Sequence, residues 1–487
     1  MRTWSGITAL VSLLALTFWL GSCATNPATG KQEFSLVSQS QEIQIGQEQN
    51  ALVQQELGFY EDAALTSYVN RVGQKLAAVT ELPSLVWHFH IIDSPDVNAF
   101  ALPGGYIYVT RGILAVLNSE AQLAGVMGHE EGHVTARHTA QMLTRQQVAN
   151  LGLGVGSILS SDVRRVSGIA GTGLQLLFLK FSRANETQAD ELAVRYASRA
   201  SYDPRQIPPT YAALKALAEK SGSSTPGFLS THPDPGNREA TTRALAQQAV
   251  AGKDVATLRV AEADYKHAID GVVYGDDPRQ GFFENGVFYH PELRFQVTFP
   301  NGWKTQNTRA AVLAARSDQQ AVVQMSVVPS QGASTPTAYL SALQQKGTIA
   351  AASGSSERVN GWPAWLGTVT VQAQDGSTSQ LYLGLVQRES GSFYQFLGAP
   401  VGGAQSEFVS TARSLRTLSD PSKLNRQPNR IALVTVPRSG MSVEAVARTV
   451  PGLAVSADEI AFLNNHDRAD LLDKGTVLKV VQKAGTP

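Results

Sequence analysis

The stretch that most constrains this chain is Val126-Met127-Gly128-His129-Glu130-Glu131-Gly132-His133-Val134. His129 and His133 are one helical turn apart, so on an α-helix their imidazoles share a face, about 40° apart around the axis. Two neutral imidazoles so placed can hold one Zn²⁺ between them, and Glu130 beside the first can take a proton from water at that metal. Ser119-Glu120-Ala121-Gln122 reads as a capping box at the start of the helix, and no proline interrupts the run through Val148. Two helical histidines bracketing surface glutamates would give the same pattern, so the rest of the chain has to decide.

Two histidines leave a metal short of ligands. His138, five residues after His133, falls off the metal face of a continuous helix. Ser182 to Ala193 is helix-compatible, with Glu186 and Asp190 one turn apart on a common face. Glu186 can complete a His₂Glu site that leaves the fourth position open for water. Asp190 can hold a ligand histidine through its second ring nitrogen. Upstream, Asn98 to Val109 reads as strand, Pro-Gly-Gly turn, strand. A strand bordering a metal cleft offers main-chain groups to an extended peptide.

The segments Asn98–Gly112, Gly128–His138 and Glu186–Asp190, in that order, resemble the gluzincin family of CAAX-prenyl-protease and HtpX relatives, and most of all its periplasmic, BepA-like lipoprotein branch. The resemblance covers about residues 38 to 245. It implies a zinc endopeptidase with His129, His133 and Glu186 as ligands and Glu130 as catalytic base. Family descriptions treat the aspartate matching Asp190 as a proton donor, whereas the residue types favour its holding a ligand. In such relatives a histidine matching His232 takes the open metal position as a switch. An arginine matching Arg238 lies near the site, where it can stabilise a developing oxyanion or form a salt bridge at a helix start. The implied substrates are misfolded or stalled envelope and outer-membrane proteins. One departure stands out: relatives carry an aliphatic residue where this chain has Glu131, which puts full activity in question.

Charged residues make up 16% of the chain and Lys+Arg equal Asp+Glu at 40 each, so no basic excess points to nucleic acid. Met1 to Ser22 reads as an export signal. It ends in Leu20-Gly21-Ser22-Cys23, which resembles a lipoprotein lipobox, and Cys23 is the only cysteine. By that resemblance Cys23 carries the lipid anchor, and Ala24 after it directs the protein to the outer membrane facing the periplasm. The expected organisation is a tether over 23–37, a metalloprotease domain over 38–250 and a connector over 251–283. A PsbP/Mog1-like α/β module over 284–420, a linker over 421–429 and a LysM-like βααβ module over 430–484 follow, the last with peptidoglycan as its partner. The fold class is α+β. His88 and His90 share the polar face of a strand and are expected to be solvated. The apolar stretches Leu151–Leu159 and Gly168–Phe181 are too short to span a bilayer. Two other readings are an outer-membrane chaperone or assembly factor with a latent protease, and a wall-binding structural lipoprotein.

Overall fold

A computed structural model of the chain describes residues 23–152, 180–221, 227–232, 237–318, 320–372 and 377–485. The expected export signal and most of the two apolar stretches lie outside the described residues. Two compact units are formed, one by residues up to Gln54 with 58–275 and 429–487, the other by 55–57 and 276–428.

The first unit opens on a hairpin, β1 (Cys23–Thr25) with β2 (Gln32–Phe34). Helices α1 (Gln39–Glu56) and α2 (Ala63–Ala77) follow. Asp62 starts α2 by accepting from the Leu65 amide at 2.9 Å. Leu65, Val69, Val72 and Leu76, spaced at helical intervals, lie on its buried face. Strands β3 (His88–Ile92), β4 (Ala99–Leu102) and β5 (Tyr106–Thr110) make a sheet in the order β3-β5-β4. β5 runs parallel to β3 and antiparallel to β4. Among the described residues nothing pairs with the outer edge of β4. The β4–β5 turn uses Gly104 and Gly105 at φ +81° and +91°, conformations a side chain would strain.

Next come α3 (Arg111–Val116), α4 (Glu120–Thr135), α5 (His138–Gly152), α6 (Arg183–Arg199), α7 (Ile207–Ser221), α8 (Gly227–Thr231), α9 (Arg238–Val250) and α10 (Glu262–Ala268). α4 is buried along its whole length. Its glycines let neighbours close in: a Cβ at Gly128 would lie 3.4 Å from the Ala193 Cα, and one at Gly132 would lie 3.1 Å from the Leu192 Cβ. α6 therefore packs directly against the histidine-bearing turns. Among the described residues no helix is long and apolar enough to cross a membrane.

Four expectations need revising. The helix does not run through Val148; it breaks at Arg137, whose φ is +55°, and restarts as α5. Residues 23–37 are not a loose tether, because Asn26 donates to the Ala136 carbonyl at 3.1 Å, Arg137 to the Val37 carbonyl at 2.6 Å and Gln141 to Glu33 at 2.7 Å. His88 and His90 are half-buried rather than solvated: His88 stacks on Tyr106 at 4.3 Å, and His90 on Phe59 at 4.3 Å. Finally, residues 251–275 and 429–487 pack within the first unit. The terminal segment pairs Arg430–Thr435 with Val477–Gln482 around two short helices, Val443–Ala447 and Ala457–Leu463. It is held to the unit by Lys479, fully buried, whose ammonium donates to the Ala115 and Leu117 carbonyls at 2.8 and 2.6 Å. Those are carbonyls that the end of α3 leaves without helical partners.

The second unit is built on a seven-stranded antiparallel sheet and a four-stranded one. Within the larger sheet Trp362–Gln372 pairs antiparallel with Thr378–Val386, and the unit's helices include Pro336–Gln345 and Gln405–Arg413.

Candidate metal centre

Ser119 caps α4 by accepting from the Gln122 amide at 3.2 Å. The capping box is incomplete, since Gln122 turns to the Asn118 amide at 2.6 Å instead. Two turns on, His129 and His133 bring their Nε2 atoms to 3.0 Å of each other. Ser182 caps α6, and the first turn of that helix brings Glu186 to both rings, at 3.5 Å from His129 Nε2 and 3.7 Å from His133 Nε2. His232, just past α8, completes the cluster with its Nδ1 3.4 Å from His129 Nε2 and 3.1 Å from Glu186 Oε1.

One ligand atom from each of these four residues lies within 4.8 Å of the other three, and the four side chains are at most 1% exposed. A tetrahedral zinc with bonds of about 2.0–2.1 Å separates neighbouring ligand atoms by roughly 3.3–3.4 Å. The observed spacings straddle that edge length. The donor set of imidazole and carboxylate suits zinc, and the residues fit the ion.

Around this cluster the structure adds a firm outer layer. Asp190 Oδ1 is 3.0 Å from His129 Nδ1, the ring atom opposite the cluster. Arg238, the first residue of α9, makes a two-pronged pair with Asp190 at 2.9 and 2.6 Å and reaches Glu186 at 3.1 Å. Of its two expected roles, these contacts fit the salt bridge at a helix start. Tyr211 donates to Asp190 at 2.5 Å and sits under the Arg238 guanidinium. Phe228 stacks on His232, and Phe181 on His133 at 4.0 Å.

Burial pushes Asp190 up, but Arg238 and His129 outweigh it and hold the carboxyl at about 2. Burial and the Arg238 charge lower His129, yet Asp190 and Glu186 prevail and raise it to about 9. Glu130 is raised by burial. Among the described residues its buried oxygens have no hydrogen-bond partner, and His232 Nε2 lies 3.5 Å from its Oε1. Glu131, equally buried, is raised by burial alone and is not among the converging groups.

The family model for peptidase family M48 matches residues 63–246. This part of the chain is similar to that family. The chain is 31% identical over 235 residues to the beta-barrel assembly-enhancing protease of Escherichia coli (strain K12), covering 47% of this chain and 48% of that one. It is 33% identical over 216 residues to the mitochondrial metalloendopeptidase OMA1 of Schizosaccharomyces pombe, covering 42% and 61%. The chain thus spans about half the length of the first curated relatives it matches. The solution structure of cyanobacterial PsbP from Synechocystis overlays at a TM-score of 0.21 with 12% identity, over 27% of this chain and 91% of that one, and supports no assignment.

The expected site residues of this stretch, His129, Glu130, His133, Glu186, Asp190, His232 and Arg238, fall in this one cluster or against it; Cys23 lies apart, at the start of β1. Tyr211 was not legible from the sequence, because a lone tyrosine in an amphipathic helix carries no motif. On an unbroken helix His138 falls off the metal face. In the structure its Nδ1 is 2.9 Å from His133 Nδ1.

Proposed function

We propose that this chain is a zinc-dependent endopeptidase of the cell envelope that hydrolyses peptide bonds in misfolded or stalled envelope proteins. The observation that carries the reading is the convergence of His129, His133 and Glu186, from two helices, on one buried point with Glu130 beside it. Zinc held there supplies Lewis acidity to a scissile carbonyl and to water, whose pKa falls to about 7. Glu130 takes a proton from the attacking water and passes it to the leaving amine, a role its raised pKa and desolvated setting favour. Asp190 keeps His129 turned so that Nε2 faces the centre, and Arg238 with Tyr211 keeps Asp190 in place. The free edge of β4 holds an extended substrate by strand addition.

His232 stands between the ligand set and Glu130, its two ring nitrogens facing opposite ways. In this reading it keeps the enzyme latent until substrate or a partner draws it out. The same observation favours the alternative, an outer-membrane chaperone or assembly factor whose protease is latent or impaired. Cleavage of unfolded casein by the wild type but not by Glu130→Gln, with one zinc bound per chain in both, is the expected result. A zinc-free or casein-inert wild type sinks the protease reading. His232→Ala is expected to raise basal cleavage, and unaltered cleavage and zinc coordination would remove the switch.

The lipobox-like Leu20–Cys23 supports an outer-membrane lipid anchor, tested by palmitate labelling that disappears in Cys23→Ala. The βααβ order of residues 430–484 supports peptidoglycan as a partner. A pull-down in which the full chain is not retained on peptidoglycan would remove that partner.

A further inference from the structure

We infer that His138, together with Gln188, is a positioning pair for the second metal-facing histidine, His133. The inference rests on the zinc reading above and extends it to the half of the ligand pair that Asp190 does not touch. A metal-bound imidazole uses one nitrogen on the metal and carries its proton on the other, and what accepts that proton sets the ring's tautomer and orientation. For His129 the acceptor is Asp190. For His133 no carboxylate among the described residues occupies the equivalent place: its outer nitrogen, Nδ1, faces His138 Nδ1 at 2.9 Å. On the far side, His138 Nε2 faces Gln188 Oε1 at 3.0 Å. Only one assignment satisfies the whole row. Gln188 accepts from His138 Nε2–H, which leaves His138 Nδ1 bare to accept from His133 Nδ1–H, which leaves His133 Nε2 bare toward the cluster.

The backbone explains how a residue five positions on comes to face His133. A continuous helix would carry position 138 about 140° around the axis from 133. Instead the chain takes a left-handed step at Arg137, φ +55°, a conformation costing roughly 1–2 kcal/mol for a residue with a side chain. The step is held by the Arg137 guanidinium, which binds Glu42 at 2.8 Å and the Val37 carbonyl at 2.6 Å. α5 then restarts with His138 as its first residue, 1% exposed. Local strain pinned from outside is expected where it delivers a functional side chain. Gln188 comes from α6, two residues after Glu186 and two before Asp190 in the ligand-bearing helix, so the row runs from α4 through His138 of α5 to the helix that carries Glu186.

The test is zinc affinity, measured by chelator competition on the full chain. His138→Phe, which keeps a flat ring but offers no acceptor, is expected to weaken zinc binding 10- to 100-fold. His138→Asn restores a carbonyl acceptor and is expected to recover part of that loss. Gln188→Leu, at a half-buried position that folding tolerates, is expected to weaken binding by a smaller factor. A protected imidazole N–H resonance assigned to His133 in the zinc-bound wild type should vanish in His138→Phe. Equal zinc affinity in the wild type, His138→Phe and Gln188→Leu overturns the inference while leaving the protease reading intact. A wild type that binds no zinc overturns both. If His138→Phe does not fold, Gln188→Leu and the resonance decide.

Discussion

The two ends of helix α4 each bury acidic side chains, and they treat them oppositely. At the N-terminal turn, Glu120 is 2% exposed and accepts from Tyr68 at 2.8 Å, Tyr202 at 2.8 Å and Arg259 at 2.7 Å. Burial pushes its pKa up, but Arg259, Tyr202 and Tyr68 together bring it down to about 2. Three turns later, Glu130 and Glu131 are fully buried, raised by burial, and without a hydrogen-bond partner among the described residues. A buried acid surrounded by donors is a structural clasp. A buried acid without them costs stability, and a fold retains that cost where chemistry or binding uses the group. The contrast sorts three glutamates on one helix into a lock, the proposed base and a third with no partner of either kind.

The comparison breaks first at the metal-facing end. Glu186→Ala removes a ligand from the cluster, and metal content by mass spectrometry should fall from one zinc per chain to trace, with casein cleavage lost. Retention of stoichiometric zinc would show that the four-residue cluster is not the metal site. Glu130→Gln should keep the zinc and lose about 10²- to 10⁴-fold in turnover, the range for a general base. A loss of metal in this variant would make Glu130 a ligand rather than a base.

The clasp is tested by stability. Glu120→Ala leaves Tyr68 and Tyr202 without this acceptor and Arg259 with Asp264 alone, and should cost about 2–3 kcal/mol in urea unfolding while leaving zinc affinity unchanged. Because the folded pKa lies below the unfolded value of about 4.3, Glu120's contribution is fully present above pH ~4.3 and is lost as the pH falls through about 2. Wild type and variant should therefore converge in stability toward pH 2. A gap that persists there would assign the effect to lost packing instead.

How much of this could be read from the chain alone follows the same physics. The ligand motifs are local and periodic, so His129, His133 and Glu186 were legible from helical spacing and from what a metal still needs. The α2 face was legible for the same reason, its Leu65, Val69, Val72 and Leu76 repeating once per turn. The break at Arg137 was not legible, because no glycine or proline marks it; the left-handed step is imposed by Glu42 and Val37, about 100 residues earlier. The same break brings His138 to His133, a contact that helical spacing across an unbroken helix does not show. Lys479 was hidden by another tertiary effect. A lysine in a terminal strand reads as solvent-facing, and only the carbonyls at the end of α3, more than 300 residues earlier, give its ammonium a buried place.

The remaining glutamate gives the smallest effect and the sharpest use of the contrast. Glu131 has neither the donors of Glu120 nor the neighbouring His232 of Glu130, and burial alone raises its pKa well above the ordinary carboxylate range. The folded state therefore holds its proton where the unfolded chain has released it. With more protons bound to the folded state, stability falls as pH rises from about 4.3 until the folded group itself ionises. Glu131→Leu removes that penalty at nearly constant volume, so the variant should be about 1–3 kcal/mol more stable than wild type near pH 7. The advantage should shrink as the pH is lowered toward 4. If the gain appears and casein cleavage is unchanged or faster, Glu131 is a tolerated cost beside the site. If the gain appears and cleavage falls, the unpaired acid takes part in the reaction, and the line between base and bystander on this helix has to be drawn one residue further along.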